Sequence, residues 1–509
     1  MLPVFSVCRT RRRRSGCAKR PSDFTTSSRW LKSAIPPRAS EARTPMGLAP
    51  DFVSSLEAIV GSAHVRRDPA TREAYGVDAL RRGQPADAVV TPRLTSEVAA
   101  VLRLCHDTRV PVVPRGGGTG YTGGAVPIRG GLVLSLERFN QILEIDELNL
   151  LAVVEPNVIT ADLQDAVERI GLFYPPDPAS LHQSTIGGNV AECAGGPRAF
   201  KYGVTKRYVL GLEAVLPTGE IIETGGKSVK NVVGYDVTQL LVGSEGTLAV
   251  ITKVILRLVP KPPQQATLRA TFSSIEGAVD GVTRLLRARV IPAALELIDG
   301  ESLAAVASHL ETTALAPSGT SAVLLIEVDG FASGVDEELE RIAAACRDAG
   351  ATEVRVARDT AGCAELWRLR RALSSSLRVL APLKLNHDVV VPKGRVPELF
   401  QLVSRLRTAY ALRIPCFGHV GDGNIHVNIL VDPADRDEVV RAQEAERALF
   451  EGVVSLEGSI SGEHGIGFAK AKYLGIELAA AEVALMQRLK HAFDPHNVLN
   501  PGKIFPGDG

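Results

Sequence analysis

Pro114-Arg115-Gly116-Gly117-Gly118-Thr119-Gly120-Tyr121-Thr122-Gly123-Gly124 places six glycines in eleven residues. Without Cβ atoms, such a backbone can close its N–H groups around a phosphate. Gly118, Gly120 and Gly123 have the G-x-G-x-x-G spacing of a dinucleotide-binding turn. That turn must open a helix, yet Ala125-Val126-Pro127-Ile128-Arg129-Gly130-Gly131 follows, with a proline and two glycines. Leu132-Val133-Leu134-Ser135-Leu136 then reads as a strand, and Val110-Pro111-Val112-Val113 reads as the strand before the loop. The unit is strand, phosphate loop, strand: a nucleotide binder outside the doubly wound class. A surface turn is the plainer reading, but three adjacent glycines followed by a Gly-Gly pair argue against it.

Working outward, Val98, Val101, Leu102 and Cys105 have helical spacing after Thr95, a suitable N-cap, and Leu163, Ala166, Val167 and Ile170 repeat the pattern after Thr160. A second glycine segment runs from Asp177-Pro178-Ala179-Ser180 through Ser184-Thr185-Ile186-Gly187-Gly188-Asn189 to Ala194-Gly195-Gly196. There Ser184 or Thr185 can cap a helix whose free N–H groups face an anion. A third is Gly243-Ser244-Glu245-Gly246-Thr247-Leu248-Ala249-Val250-Ile251-Thr252. In order and spacing these segments resemble the FAD-binding domain of the vanillyl-alcohol oxidase/p-cresol methylhydroxylase class. The resemblance implies an α+β fold with a two-subdomain FAD-binding domain and an α+β, ferredoxin-like substrate cap. It implies FAD contacts from the loop (Pro114, Arg115, Gly116, Gly117, Gly118, Thr119, Gly120, Thr122, Gly123 and Gly124). Further contacts are implied from Pro178, Ser184, Thr185, Gly187, Gly188, Asn189 and Gly195, and from Gly246 and Ile251. The loop from Arg115 to Gly124 has no histidine or cysteine, so the flavin is expected to be non-covalent.

The 509 residues, 45% apolar, suffice for two or three domains. The expected division is a basic extension at 1–45, an FAD-binding domain at 46–260, a cap at 261–465 and a terminal segment at 466–509 that packs back on the FAD domain. Pro260, Pro262 and Pro263 mark the second boundary, and Val323 to Val328 reads as a cap strand. A last helix is expected through Ala484, Leu485, Leu489 and Phe493, before Leu499-Asn500-Pro501-Gly502-Lys503.

The net charge of +1 conceals an uneven distribution. The first 45 residues hold eleven Lys/Arg against Asp23 and Glu41, which leaves 47 basic and 55 acidic residues from Met46 onward, a net of −8. An acidic body disfavours nucleic acid as a partner. The basic head reads as a mitochondrial transit peptide, a disordered tail or translated upstream sequence. The third is favoured, because arginine outnumbers lysine about three to one, as in GC-rich bacterial genomes, and Met46 stands before a plausible domain start. No run of eighteen apolar residues occurs, so no membrane span is expected. The seven cysteines form no C-x-x-C pair, which suits reduced thiols in a bacterial cytoplasm, peripheral to the membrane at most. Their spacing also excludes a ferredoxin-type cluster, so electrons must leave to an external acceptor or an iron–sulfur partner subunit.

Two further motifs bear on chemistry. Gly418-His419-Val420-Gly421-Asp422-Gly423-Asn424-Ile425-His426-Val427-Asn428 sets two histidines around a Gly-Asp-Gly turn, and Ser461-Gly462-Glu463-His464-Gly465-Ile466-Gly467 pairs a carboxylate with an imidazole. Seven residues apart, His419 and His426 would point to opposite faces of a straight strand, so the turn is what brings them together; His426 and Asn428 share a face. Two imidazoles and Glu463 would suit zinc or manganese with positions left open for substrate. Structural histidines are the competing reading.

From about residue 50 to 505 the chain resembles the FAD-linked 2-hydroxyacid dehydrogenases, a group including glycolate oxidase flavin subunits, D-lactate dehydrogenases and D-2-hydroxyglutarate dehydrogenases. The resemblance implies that His419, His426 and Glu463 hold a divalent metal and that His464 is the base. Arg370, in Trp367-Arg368-Leu369-Arg370, would clamp the substrate carboxylate, with Ser374 one turn on and Asn428 as accessory contacts. A solvated helix arginine is the alternative for Arg370. The implied reaction is oxidation of a small 2-hydroxy acid to the 2-oxo acid by hydride transfer to the flavin. One departure narrows the substrate: where D-2-hydroxyglutarate dehydrogenases have a substrate-binding lysine, this chain has Asn386, with Lys384 nearby. That favours glycolate or D-lactate over a dicarboxylate. The rival readings are an FAD-linked oxidase of another alcohol and a flavin-binding scaffold without turnover.

Overall fold

The computed structural model describes residues 48–310 and 319–505, and the basic extension expected at 1–45 lies outside the described residues. The first sheet holds β1 (Val65–Arg66), β2 (Ala88–Val90), β3 (Val112–Arg115) and β4 (Leu132–Ser135) in the order β1-β2-β4-β3. Strands β2, β4 and β3 run parallel. Val89, Val90, Val112, Leu132, Val133 and Leu134 are all buried, as expected of parallel strands covered on both faces. The helix Thr95–Thr108 lays Val98, Val101, Leu102 and Cys105 against this sheet.

Thr95 is not the cap of that helix. Its N-cap is Leu94, and Glu97 reaches back to the Arg93 and Leu94 N–H groups (2.6 and 3.3 Å) while the Thr95 hydroxyl donates to Glu213. Thr160 is likewise the first residue of Thr160–Glu168, after Ile159. Its hydroxyl accepts from Asn189 Nδ2 at 2.7 Å and so ties the second glycine segment to this helix.

The second sheet uses β5 (Ile142–Asp146), β6 (Leu151–Val154), β8 (Val209–Val215), β9 (Ile221–Gly225) and β10 (Val250–Arg257) in the antiparallel order β5-β6-β10-β8-β9. The short strands β7 (Leu172–Phe173) and β11 (Val259–Pro260) pair separately.

The third sheet positions the site. It comprises β12 (Gln264–Phe272), β13 (Ala294–Asp299), β14 (Ala322–Gly330), β15 (Glu353–Ala357), β16 (Leu383–Val390), β17 (Cys416–Gly418) and β18 (Asn424–Val431). The order is β15-β12-β14-β13-β17-β18-β16. Its first four strands, with Ile275–Arg287 and Ala332–Asp348, have the 4-1-3-2 order of a ferredoxin-like unit. Alternation along these strands separates two chemistries. Leu295, Leu297, Ile425, Val427, Ile429 and Val389 enter one apolar core with the helices Val396–Tyr410 and Arg436–Ser455. The intervening positions, Glu296 on β13, His426 and Asn428 on β18, and Lys384, Asn386 and Asp388 on β16, are all polar and share the opposite face.

The C-terminal segment runs back along β3. Val112 N–H donates to Val498 O, and Asn500 N–H donates to Val112 O (2.8 and 2.7 Å). Asn500 Nδ2 also bonds the carbonyls of Gly124 and Glu245, and Lys503 Nζ bonds that of Val126. The preceding helix, Ala480–Phe493, leaves Leu485 and Leu489 exposed and buries Lys490, which bonds Asp494 and the carbonyls of Thr247 and Leu499.

Candidate active site

A cavity of about 1710 Å³ runs from the glycine loop to the polar face of the third sheet. It exceeds a drug-sized pocket and leaves room for a dinucleotide with a small substrate. One wall is the loop from Pro114 to Gly120, with Tyr121 and Gly124. The next is Pro178, Ser184, Thr185, Gly187, Gly188, Asn189 and Gly195, and Gly246 and Ile251 complete it. The two glycine segments pack tightly: a Cβ on Gly117 would lie 2.4 Å from Gln183 O. Thr185 caps Ile186–Glu192 through the Gly188 N–H. Thr122 and Gly123 stand behind the lining. Gly123 has φ +81°, and a Cβ there would lie 2.0 Å from the Phe468 ring, so only glycine lets the loop seat against that ring. Thr122 donates to His464 O and accepts from the Phe468 and Ala469 N–H groups, tying the glycine loop to the second chemical motif. A glycine cradle of this shape, free of side chains where a diphosphate would approach, fits FAD.

Arg115 differs from a simple phosphate ligand. Its Nη1 donates to Val77 O at 2.8 Å, and its guanidinium lies over the Tyr75 ring. Burial raises the nearby Asp78 to about 6, against the pull of Arg115.

At the other end of the cavity, the turn after β17 brings His419 beside His426, with ring centroids 5.3 Å apart. Glu463 Oε1 lies 3.4 Å from His419 Nε2 and 3.6 Å from His426 Nε2. One ligand atom from each of the three residues lies within 4.8 Å of the others. The buried His426 Nδ1 has no hydrogen-bond partner. Burial, with the charges of His419 and His464, holds His426 well below the usual imidazole range. Two imidazoles and a carboxylate converging on one point fit a divalent ion. His464 lies between Tyr121 and His426, with centroids at 5.2 and 5.3 Å.

Two acidic residues of this face carry no motif in the sequence. Glu296, fully buried, is hydrogen-bonded to His419 Nδ1 and to Arg370 Nε. Burial alone would raise its pKa, but His419 and Arg370 hold it down to about 2; in turn Glu296 and Glu463 overcome burial to raise His419 to about 10. The Glu296 contact orients His419 with Nε2 toward Glu463. Asp388 accepts the backbone N–H groups of Gly462, Glu463 and His464 at 2.7 to 2.9 Å. Its other oxygen takes Lys470 Nζ at 2.5 Å and lies 3.3 Å from His464 Nδ1. These contacts depress Asp388 far below the carboxylate range despite burial, and they fix the loop that presents Glu463 and His464. The local signal for both was only a lone acid in an apolar strand, which is consistent with many buried ion pairs.

Arg370 is therefore not a solvated helix arginine. It is 7% exposed, lines the cavity, and its guanidinium lies 4.9 Å from the Phe417 ring. Its Nε is taken by Glu296, and among the described residues its Nη groups carry no hydrogen bond. Ser374, also on the lining, accepts from Lys384 Nζ at 3.0 Å. Asn428 sits deeper, its Nδ2 on the carbonyls of Pro415 and His426 and its Oδ1 buried without a partner. Asn386, its cross-strand neighbour, lines the cavity and also has an unpartnered Oδ1.

Residues 86–225 match the family model described as FAD binding domain, and residues 261–504 match FAD linked oxidases, C-terminal domain. The chain is 44% identical over 459 residues to the glycolate oxidase subunit GlcD of Bacillus subtilis (strain 168), covering 90% of this chain and 97% of the relative. It is 35% identical over 424 residues to a D-lactate dehydrogenase of Anaerostipes hadrus, covering 82% and 89%. Its fold is similar to that of p-cresol methylhydroxylase with substrate bound, with a TM-score of 0.74 at 19% identity over 89% of this chain and 96% of the other.

Proposed function

The chain belongs to the FAD-linked oxidases, and from that premise we propose that it oxidises a small 2-hydroxy acid, such as glycolate or D-lactate, to the 2-oxo acid. The observation that carries this reading is the convergence of His419, His426 and Glu463 beside His464 and Arg370 at one end of the cavity. Bound FAD would supply the acceptor for the substrate Cα hydride at its N5. A zinc or manganese ion on His419, His426 and Glu463 would supply Lewis acidity toward the substrate hydroxyl and carboxylate.

The chain's own residues do the rest. Arg370 holds the carboxylate through the Nη groups that Glu296 leaves free, and Glu296 sets the guanidinium plane. His464, wedged between Tyr121 and His426, takes the hydroxyl proton. Asp388 keeps the His464 backbone in place through three N–H groups. Asn386 offers a buried carbonyl oxygen to a polar substrate, while Asn428, expected as an accessory contact, lies behind the lining and is held by the carbonyls of Pro415 and His426. Electrons then pass to an external acceptor or an iron–sulfur partner subunit. Among the described residues no helix is long and apolar enough to cross a membrane. Cys105, Cys193, Cys346, Cys363 and Cys416 are free thiols, which supports a reducing, cytoplasmic setting.

Anaerobic bleaching of the flavin absorbance by glycolate, D-lactate, L-lactate or D-2-hydroxyglutarate, with and without chelator, tests the proposal. Rapid bleaching that chelation abolishes and metal restores is the expected result. A flavin that stays oxidised with every acid after metal is restored would overturn it.

A further inference from the structure

We propose that Glu192 stands in the cofactor site as a neutral carboxylic acid and donates a hydrogen bond to the flavin, which favours the reduced cofactor. The inference rests on FAD filling the cavity and is independent of which acid is oxidised. Glu192 ends the helix Ile186–Glu192 and lines the cavity. It sits between the two chemical loops. A Cβ on Gly124 of the glycine loop would lie 2.8 Å from its Oε1, and a Cβ on Gly465, next to His464, would run into its Oε2. That second oxygen is buried and has no hydrogen-bond partner. An acid oxygen without a donor therefore stands beside His464, on the wall that the cofactor would cover.

Glu245 decides which of two neighbouring acids holds the proton. The same Cβ on Gly465 would lie 2.9 Å from the Glu245 carboxyl carbon, so the two side chains meet across one glycine. Glu245 accepts the N–H groups of Ile466 and Gly467, one on each oxygen, at 2.7 and 2.6 Å. Those donors suit a carboxylate. Glu192 Oε2 has none, and two like charges in one buried site drive one acid to stay protonated. Asp78 also faces Glu192; it is 6% exposed, lines the cavity and has an unpartnered Oδ2. Asp388 acts from behind the His464 loop, paired with Lys470. Lys503 opposes these acids, with its Nζ on Val126 O and Asn500 Oδ1. Burial, with the charges of Glu245, Asp78 and Asp388, raises Glu192 well above the usual carboxylate range. The consequence falls on the flavin. A hydride brings two electrons and leaves one added negative charge on the ring, while the Glu192 proton stays on its oxygen. An ionised Glu192 would repel that charge in a water-poor site, whereas a neutral one supports it through its O–H.

The test is the midpoint potential of the flavin in the holoenzyme, from dye-coupled reductive titration at neutral pH, for wild type, Glu192→Gln and Glu192→Leu. FAD content and melting temperature serve as structural controls. No hydroxy acid enters the titration, so its outcome is separate from the 2-hydroxyacid reading. Glu192→Gln keeps a neutral donor, and its ratio of reduced to oxidised flavin should stay within about threefold of wild type. Glu192→Leu loses the donor, and the ratio should fall about tenfold, or about 30 mV for a two-electron couple. A Gln variant reduced about tenfold more readily than wild type would show an ionised Glu192 and overturn the proposal. A Leu variant with the wild-type potential would overturn it too. The infrared difference spectrum between oxidised and reduced holoenzyme reads the proton directly, and it decides the matter if Glu192→Leu sheds its FAD. A carboxylic-acid carbonyl band that shifts in heavy water and vanishes in Glu192→Gln is expected. Its absence from wild type would refute a neutral Glu192.

Discussion

Glu296→Gln keeps the volume of a fully buried side chain and removes its charge, which makes it the sharpest probe of how the site is held. Glu296 accepts from His419 Nδ1 and Arg370 Nε, two charge-assisted hydrogen bonds worth about 1.5–3 kcal/mol each. An amide offers one carbonyl to these two donors and turns its NH₂ toward the other, leaving a buried cation without its counter-charge. Breaking a buried ion pair from one side costs about 3–5 kcal/mol, so a loss of that size is expected in urea unfolding at neutral pH. His419 also loses the acceptor that fixes its tautomer, so affinity for zinc, measured by competition with a chromogenic chelator, should fall about 10- to 100-fold. A variant within about 1 kcal/mol of wild type, with unchanged zinc affinity, would refute the assignment of Glu296 as the support of both His419 and Arg370.

Arg370→Met should raise the KM for a monocarboxylate substrate strongly, and steady-state kinetics showing an unchanged KM would remove the carboxylate clamp. His464→Asn should lower kcat about 10²- to 10⁴-fold with near-normal FAD content; a kcat within threefold of wild type would exclude His464 as the base. Gly123→Ala puts a methyl 2.0 Å from the Phe468 ring at φ +81°, so a lowered melting temperature and weakened FAD retention are expected, and wild-type values for both would contradict the packing.

What is legible in the sequence and what is not divide by the range of the forces involved. Glycine spacing, the proline after the loop and the apolar run at 132–136 are local, and they were enough to read strand, phosphate loop and strand and to exclude a dinucleotide turn. The Gly-Asp-Gly turn between the two histidines is local as well, so the approach of His419 and His426 is legible from its chemistry. The helices begin one residue away from the caps expected at Thr95 and Thr160, because these hydroxyls bond partners distant in sequence, Glu213 and Asn189. Glu296 and Asp388 had no signature for the same reason: each gains its role from residues 74 to 123 positions away on other elements. Lys384 could be counted but not placed, because only the alternation of β16 and the stripe of Thr360–Leu380 bring it to Ser374. The sequence by itself determined the fold class and the atoms available for chemistry, since backbone conformation and hydrophobic periodicity are read from near neighbours. The tertiary structure alone decided which charges face one another, because electrostatic pairing acts through space and depends on the register of strands that the chain joins only after folding.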